Sequence, residues 1–382
     1  MGQSFVPAVF YRGGSSKGVI FHARDLPDDR AEIEAILLAV LGSPDPNGRQ
    51  LNGMGGGISS LSKAVILAPS DDPAADVDYT FVQVAVDAAE CVWDGVCGNL
   101  ASVVGPFAVE EGLVPPPADG EALVRFREAA TGKIIYSRFP CADGVPVVQG
   151  DFVIAGVAGT GAMIRLDYRD PGGAITGRLL PTGQLTQELV LADGSSVEVS
   201  LIDSSNACVF VAAASVGLTG TESPDAIEAR GEVMARLDEI RRRAGVLMGL
   251  AERPDALGLF NPRIAVVSAP ADFTSLDGTR WNAGSHDIAT RMLSMGRPHR
   301  AVPLASALCL GVACGIEGTL PNRLARTAAD QPARGMVRVG TPSGVITVGA
   351  EVARDAGGEW RAISAASFRT ARRLMQGQVA ID

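Results

Sequence analysis

Residues 301–314 read Ala-Val-Pro-Leu-Ala-Ser-Ala-Leu-Cys-Leu-Gly-Val-Ala-Cys, an almost wholly apolar run behind the loop Ser294-Met295-Gly296-Arg297-Pro298-His299. A helix that is apolar on every side has no face to offer water, so this one reads as the buried centre of a domain. A second such run lies in the first half. Leu100, Val103, Val104, Phe107 and Ala108 share one helical face after Cys97-Gly98-Asn99, with Pro106 expected to kink the helix or shift its start. Each buried helix is foreshadowed by a strand, a serine-rich turn and a strand. Val6 to Tyr11 and Val19 to Phe21 flank Arg12-Gly13-Gly14-Ser15-Ser16-Lys17-Gly18, and Val197 to Ile202 and Val209 to Ala213 flank Asp203-Ser204-Ser205-Asn206-Ala207. The echo predicts a weak internal duplication: two similar α+β domains with a site between them. The turn-rich Leu179-Leu180-Pro181-Thr182-Gly183 divides them into residues 1–183 and 184–382, the final segment being free to pack back on the first.

The remaining elements follow the same rules. Ile33, Ile36, Leu37, Val40 and Leu41 predict a helix that Gly42 and Pro44 stop. Lys63 leads into a short buried strand, Ala64 to Leu67, and Tyr79 to Val86 is another, with Phe81 and polar Gln83 alternating. Short strands are expected over 121–157, and a polar helix over 224–248. Ser367 to Gly377, with Arg369, Arg372 and Arg373 beside Phe368 and Leu374, reads as a solvated amphipathic helix in preference to a basic docking patch.

The chain has 382 residues, enough for two or three domains with their own cores. Hydrophobic residues make up 47% but aromatics only 5%, so the cores are aliphatic and strand-rich. A net charge of −10 argues against non-specific nucleic-acid binding and against anionic lipid surfaces. The six cysteines (91, 97, 141, 208, 309, 314) show no CxxC spacing, and with three histidines a zinc site is not expected. They read as reduced thiols of a cytoplasmic protein. The first residues, Met1-Gly2-Gln3-Ser4-Phe5, lack a signal-peptide pattern, and no uncharged apolar stretch is long enough to predict a membrane helix.

Two loops carry the candidate chemistry: Gly55-Gly56-Gly57-Ile58-Ser59-Ser60-Leu61-Ser62-Lys63 and Cys97-Gly98-Asn99. An isolated cysteine ordinarily packs as a small hydrophobe. Cys97, however, stands at the expected start of a helix, where free N–H groups favour a thiolate or an anionic ligand, and Gly98 lets a ligand approach. Lys63 either reaches for the surface or sits partly buried as a general base, with the three glycines forming a backbone nest for a carboxylate. The Arg12–Gly18 turn offers amides, hydroxyls and cations. It lacks the Lys-Ser/Thr of a phosphate loop, and no G-x-G-x-x-G opens a helix after a strand, so carboxylate binding suits it better than a nucleotide cofactor. His299 is either a surface histidine or a substrate-binding group.

Together these motifs resemble the family of 2-methylaconitate cis–trans isomerase and oxalomesaconate tautomerase, which has the diaminopimelate-epimerase-like fold. Arg12-Gly13-Gly14-Ser15-Ser16-Lys17-Gly18 is similar to R-G-G-T-S-K-G, Gly42-Ser43-Pro44-Asp45-Pro46 to G-S-P-D-P, and Asn52-Gly53-Met54-Gly55-Gly56 to D-G-M-G-G. Ser62-Lys63 matches the family's catalytic S-K, and Cys97-Gly98-Asn99 its N-C-G-N with Val96 in the first place. Ser294-Met295-Gly296 with His299 resembles S-M-G-x-x-H, and Gly318-Thr319 the G-T that follows. The resemblance implies two pseudo-symmetric halves, each a curved sheet wrapped around a central helix, with the active site in the cleft. It implies a cofactor-independent isomerase of an unsaturated di- or tricarboxylate that needs no metal. Lys63 would abstract an allylic proton, and Cys97 would serve as acid or positioning group. Arg12, Ser15, Ser16, Lys17, Gly55, Gly56, Ser60, Gly98, Asn99, Ser204, Met295 and His299 would bind substrate carboxylates. Lys17 and Arg12 are the cations expected to favour the uncharged amine of Lys63. The partner implied is a small polycarboxylate, with no nucleic acid or membrane, and a homodimer is left open. Val96 and Asn52 depart from the pattern and leave the particular substrate open. The rivals are a two-base racemase or epimerase, which needs a second cysteine that 294–300 lack, and a non-catalytic accessory protein to an aconitase-like dehydratase.

Overall fold

The computed structural model of the chain describes residues 2–326 and 335–382. It divides into two compact units. Unit one runs to Arg169 and includes Phe368–Asp382, and unit two is Asp170–Ser367. The change of unit therefore falls at Arg169/Asp170, ahead of the Gly183 turn. The last segment joins unit one because strand Ala371–Ile381 pairs antiparallel with β1 (Ser4–Gly13), from Ser4↔Ile381 to Gly13↔Ala371. This segment is a strand, not the amphipathic helix expected.

Unit one is built around helix α2 (Ala101–Glu110). Helix α1 (Arg30–Leu41) covers the outer face. β1 pairs antiparallel with β2 (Ser16–His22), β2 parallel with β3 (Lys63–Pro69), and β3 antiparallel with β4 (Val77–Val84). β4 then pairs parallel with Gly120–Glu128, which is antiparallel to Ile134–Ala142. Side chains alternate across these strands. Val9, Tyr11, Ile20, Val65, Leu67, Tyr79 and Phe81 pack against α2, while Ala8, Val19, Phe21, Ala64, Val82 and Val84 pack against Leu37, Val40 and Leu41 of α1. Asp29 caps α1 by accepting the Glu32 N–H, and Gly42 ends it in the left-handed region at φ 75°. Every residue of α2 from Ala101 to Val109 is buried, as an all-round apolar helix requires. The helix runs through Pro106 unbroken and begins at Ala101, one turn after Cys97, whose carbonyl accepts the Ala101 N–H.

Unit two repeats this order of pairings. Ser196–Ser204 is antiparallel to Asn206–Ala212, which is parallel to Arg263–Ser268, which is antiparallel to Ile288–Ser294. Ile288–Ser294 is parallel to Met336–Thr341, itself antiparallel to Gly344–Arg354. The polar helix expected over 224–248 is two helices, α3 (Pro224–Glu228) and α4 (Gly231–Leu247). The chain leaves helical geometry at Arg230, whose Nη1 donates to the Gly217 carbonyl at 3.2 Å. α4 covers one sheet face through Leu237, Ile240 and Ala244. The buried helix α5 (Leu304–Gly315) holds the place of α2, between the fourth and fifth strands of the pairing order, and α6 (Leu320–Leu324) follows it, capped by Thr319. The duplication is thus plain in the pairings. Among the described residues no helix is long and apolar enough to cross a membrane.

Close backbone approach fixes where β1 meets α2. A Cβ added at Gly13 would lie 2.7 Å from both the Asn99 carbonyl and Val103 Cγ1. Since the first of these is backbone, Gly13→Ala is expected to cost about 1–3 kcal/mol by overpacking. A lowered urea midpoint at unchanged slope checks this.

Candidate active site

The site in unit one grows from strand register. Lys63 is the first residue of β3 and pairs with Gln83 of β4, so the two side chains share a face with Val65, Leu67, Tyr79 and Phe81, the face that α2 covers. Lys63 is 9% exposed, which excludes the surface-reaching alternative. Its Nζ lies 4.8 Å from the centre of the Phe81 ring and donates to Gln83 Oε1 at 2.6 Å. Among the described residues no carboxylate comes within 4.0 Å of that amine. Two positions further along the same face, the Tyr79 hydroxyl donates to the Cys97 carbonyl at 3.3 Å. Burial drives the Tyr79 phenol far above its usual range, so it stays neutral and donating. β4 therefore carries Lys63 and Cys97 over one row of side chains.

Cys97 is 8% exposed, and its Sγ accepts the Leu100 N–H at 3.5 Å in the turn that opens α2. Asn99 ties that turn to the first hairpin. Its Nδ2 donates to Ser15 Oγ at 3.2 Å and Ser16 Oγ at 3.4 Å, and Ser16 is buried on the α2 face while Ser15 is exposed. Gly18 supplies the remaining closeness: a Cβ there would meet Leu100 Cδ1 at 2.7 Å and the Lys63 carbonyl at 2.9 Å. Gly98 is partly exposed beside them, and Ser60 lies partly exposed in the turn Ser59–Leu61.

Three expectations fail here. Arg12 and Lys17 pair with each other across β1 and β2, one position out of step with Tyr11 and Ser16, so both side chains leave by the face opposite α2. Lys17 lies over Phe10 at 5.6 Å, and Arg12 donates to the carbonyls of Gly14 and Thr370 at 2.9 Å each. Burial lowers the Arg12 pKa, with Arg372 adding to the effect. Neither cation stands by Lys63. The three glycines do not form an anion nest either. Gly55 donates to the Leu41 carbonyl at 3.2 Å and Gly57 to Gln50 Oε1 at 3.0 Å, while Gly56 sits against Leu61.

A cation that does reach this end of α2 is Arg369, at the end of the strand Trp360–Arg369 and not on the solvated helix expected. Its Nε donates to Asn99 Oδ1 at 3.1 Å and its Nη1 to the Phe368 carbonyl at 2.8 Å. Desolvation lowers its pKa, and the Cys97 thiol nearby acts the other way. Arg373 serves the opposite end of the helix, donating to Glu110 at 2.8 Å and Glu111 at 2.7 Å where a cation complements the helix dipole. A depression of about 810 Å³ elsewhere in the unit, against Leu38, Ser43, Asp45 and Ile381, holds neither Lys63 nor Cys97.

Unit two carries the matching polar cluster. Arg263 opens the strand that corresponds in pairing order to β3, so it occupies the place of Lys63. Its Nη1 donates to Ser306 Oγ at 3.1 Å in the first turn of α5, and Asn206 Nδ2 approaches the same oxygen at 3.5 Å. Ser204 is fully buried with its hydroxyl unpartnered among the described residues. His299 accepts the Ala301 N–H on Nδ1 at 3.0 Å, which leaves its proton on Nε2, and burial lowers its pKa, with Arg263 adding to that. Met295 (φ 53°) and Gly296 (φ 77°) form the two-residue turn between Ile288–Ser294 and Arg297–Pro298, and Met295 stands 56% exposed at the tip. Cys309 and Cys314 are buried along α5, and burial raises both thiols above the usual range, so neither matches Cys97.

The family model described as PrpF protein matches residues 3–382. This chain belongs to the PrpF family. It is 38% identical over 392 residues to a 2-methyl-aconitate isomerase of Cupriavidus necator, covering 99% of this chain and 98% of that one. It is 37% identical over 385 residues to a 3-methylitaconate isomerase of Eubacterium barkeri, covering 100% and 98%. The crystal structure of a methylitaconate-delta-isomerase superposes with a TM-score of 0.88 at 36% identity, covering 100% of this chain and 96% of that one. The α+β architecture expected from the motifs, two halves each with its strands around a central helix, is the one observed.

Proposed function

We propose that this PrpF-family chain is a cofactor-independent isomerase of an unsaturated di- or tricarboxylate, acting by allylic proton transfer. One observation carries the reading: a buried lysine, held by a neutral amide, lies on the strand face whose Tyr79 bonds the backbone of a buried cysteine at the opening of a central helix. Lys63 Nζ, as the free amine, takes the allylic proton. The C–H electron pair moves into the conjugated acid to give a dienolate, and the new N–H holds the proton. Returning it to the far carbon migrates the double bond, and returning it to the same carbon after rotation exchanges cis for trans. Cys97 donates or positions at the second carbon. The amides that open α2, with Asn99 and Arg369, stabilise the negative charge as it develops. Ser15, Ser16 and Gly98, which border the same turn, and Ser60, in the turn ahead of Lys63, complete the carboxylate contacts.

The pairing-order equivalent of Lys63 in unit two is Arg263, whose guanidinium has donors only and no lone pair to serve as a second base. This favours one-base isomerisation over a two-base racemase. The names of the relatives point to methyl-bearing unsaturated acids as first substrates to try. The six unpaired cysteines fit a reducing, cytoplasmic setting.

The test is a panel of cis-aconitate, 2-methylaconitate, 3-methylitaconate and oxalomesaconate in heavy water, followed by proton NMR. At least one acid is expected to exchange its allylic hydrogens with solvent while converting to an isomer. No exchange and no conversion across the panel contradicts the reading.

A further inference from the structure

We propose that Gln83 is the positioning residue of the proton transfer, aiming Lys63 through a neutral acceptor; this rests on the reading of Lys63 as the base. The orientation of the Gln83 amide is fixed by its surroundings. Its Nε2 donates to the Ser62 carbonyl at 2.8 Å and the Ser59 carbonyl at 3.1 Å. Turning the amide over would set its oxygen against two carbonyl oxygens and its N–H groups against the amine. Oε1 therefore faces Lys63 Nζ, at 2.6 Å. An amide oxygen accepts from an ammonium and, more weakly, from an amine, and it brings no net charge of its own. It can hold the nitrogen in place in both protonation states. A carboxylate at the same position would instead favour the ammonium and remove the base.

The anchors of Gln83 are themselves held. Gln50 is buried, and its Nε2 donates to Ser62 Oγ at 2.7 Å and to Ser43 Oγ at 2.8 Å. Ser62 Oγ donates onward to the Val84 carbonyl at 2.9 Å, and the Val84 N–H returns to the Ser62 carbonyl at 3.1 Å. Asp45 folds the preceding loop by accepting the N–H groups of Asn47, Arg49 and Gln50. The loop motifs at 42–46 and 52–56, which bind nothing directly in this account, thereby acquire a purpose: they fix the backbone on which Gln83, and through it Lys63, is aimed. Among the described residues, the titratable and charged groups on this face include Tyr79 of β4, Cys97 ahead of α2, Arg369 beyond Asn99, Tyr11 of β1, and Glu128 and Tyr168, which act electrostatically on Tyr79. β2 contributes Gly18, and the Ser59–Leu61 turn contributes no charge.

Gln83→Glu and Gln83→Met separate aiming from mere structure. kcat/KM is followed from about pH 6 to about pH 10, where its acid-side limb reports the free base. With Gln83→Glu the limb is expected to move up by about one pH unit or more, so that activity is lost about tenfold near neutrality and returns in alkali. With Gln83→Met the limb does not move up, and kcat falls at every pH, with KM little changed. Limb positions do not depend on the fraction of enzyme that folds, so partial misfolding does not blur the result. A limb that stays put in Gln83→Glu overturns the role of Gln83. Parental activity in Lys63→Ala overturns the base assignment beneath it, and inactivity of Lys63→Ala with an unmoved limb in Gln83→Glu overturns the role of Gln83 alone.

Discussion

Lys63→Ala is expected to leave a folded protein whose kcat is lower by about three orders of magnitude, within the range a positioned general base contributes. No other described side chain on that strand face can replace it. Tyr79 is held neutral by burial, and Gln83 is an amide. The fold should survive. The substitution removes one hydrogen bond to Gln83 Oε1 and the amine's contact with the Phe81 ring, a loss of about 1 kcal/mol. Isomerisation assays with thermal melts check both halves of the expectation. A melting temperature near the parent's, with turnover gone, assigns the loss to chemistry.

Cys97→Ala is expected to lower kcat by about a hundredfold. Cys97→Ser should recover part of the loss, because a hydroxyl still donates. The structure separates this effect from packing. The Tyr79 hydrogen bond goes to the Cys97 carbonyl, and the same carbonyl accepts the Ala101 N–H, so both persist in any substitution. What disappears is the sulfur and its contact with the Leu100 N–H. Single-turnover rates, compared with the parent in light and heavy water, distinguish a missing proton donor from a displaced substrate. Equal rates for Cys97→Ala and the parent would remove Cys97 from the reaction.

Much of this arrangement was legible in residue order, and the failures have physical causes. The two all-apolar helices and their serine-rich hairpins showed the duplication, because both signals are local. Which face Arg12 and Lys17 leave by was hidden. β2 is apolar on both sides, with Val19 toward α1 and Ile20 toward α2, so no alternation marks its inner face. Arg369 is hidden in the sequence because its apolar neighbours Phe368 and Leu374 suit helical spacing, whereas the strand after it pairs with β1 and its own side chain bonds Asn99, both distant in the chain. The glycine run at 55–57 suggests an anion nest only while Gln50 is out of view, since that side chain occupies one of its amides. Gln83 was within reach. β3 and β4 form an antiparallel pair, and counting outward from Pro69↔Val77 delivers Lys63↔Gln83.

The central claim is that residue 63 removes hydrogen from carbon, and isotope exchange observes that step alone. Parent and Lys63→Ala are each placed in heavy water with whichever acid the parent converts, and deuterium entering the allylic position is counted by NMR. The account predicts rapid incorporation by the parent and none above the uncatalysed background by the folded variant. Incorporation by Lys63→Ala at the parental rate would contradict it.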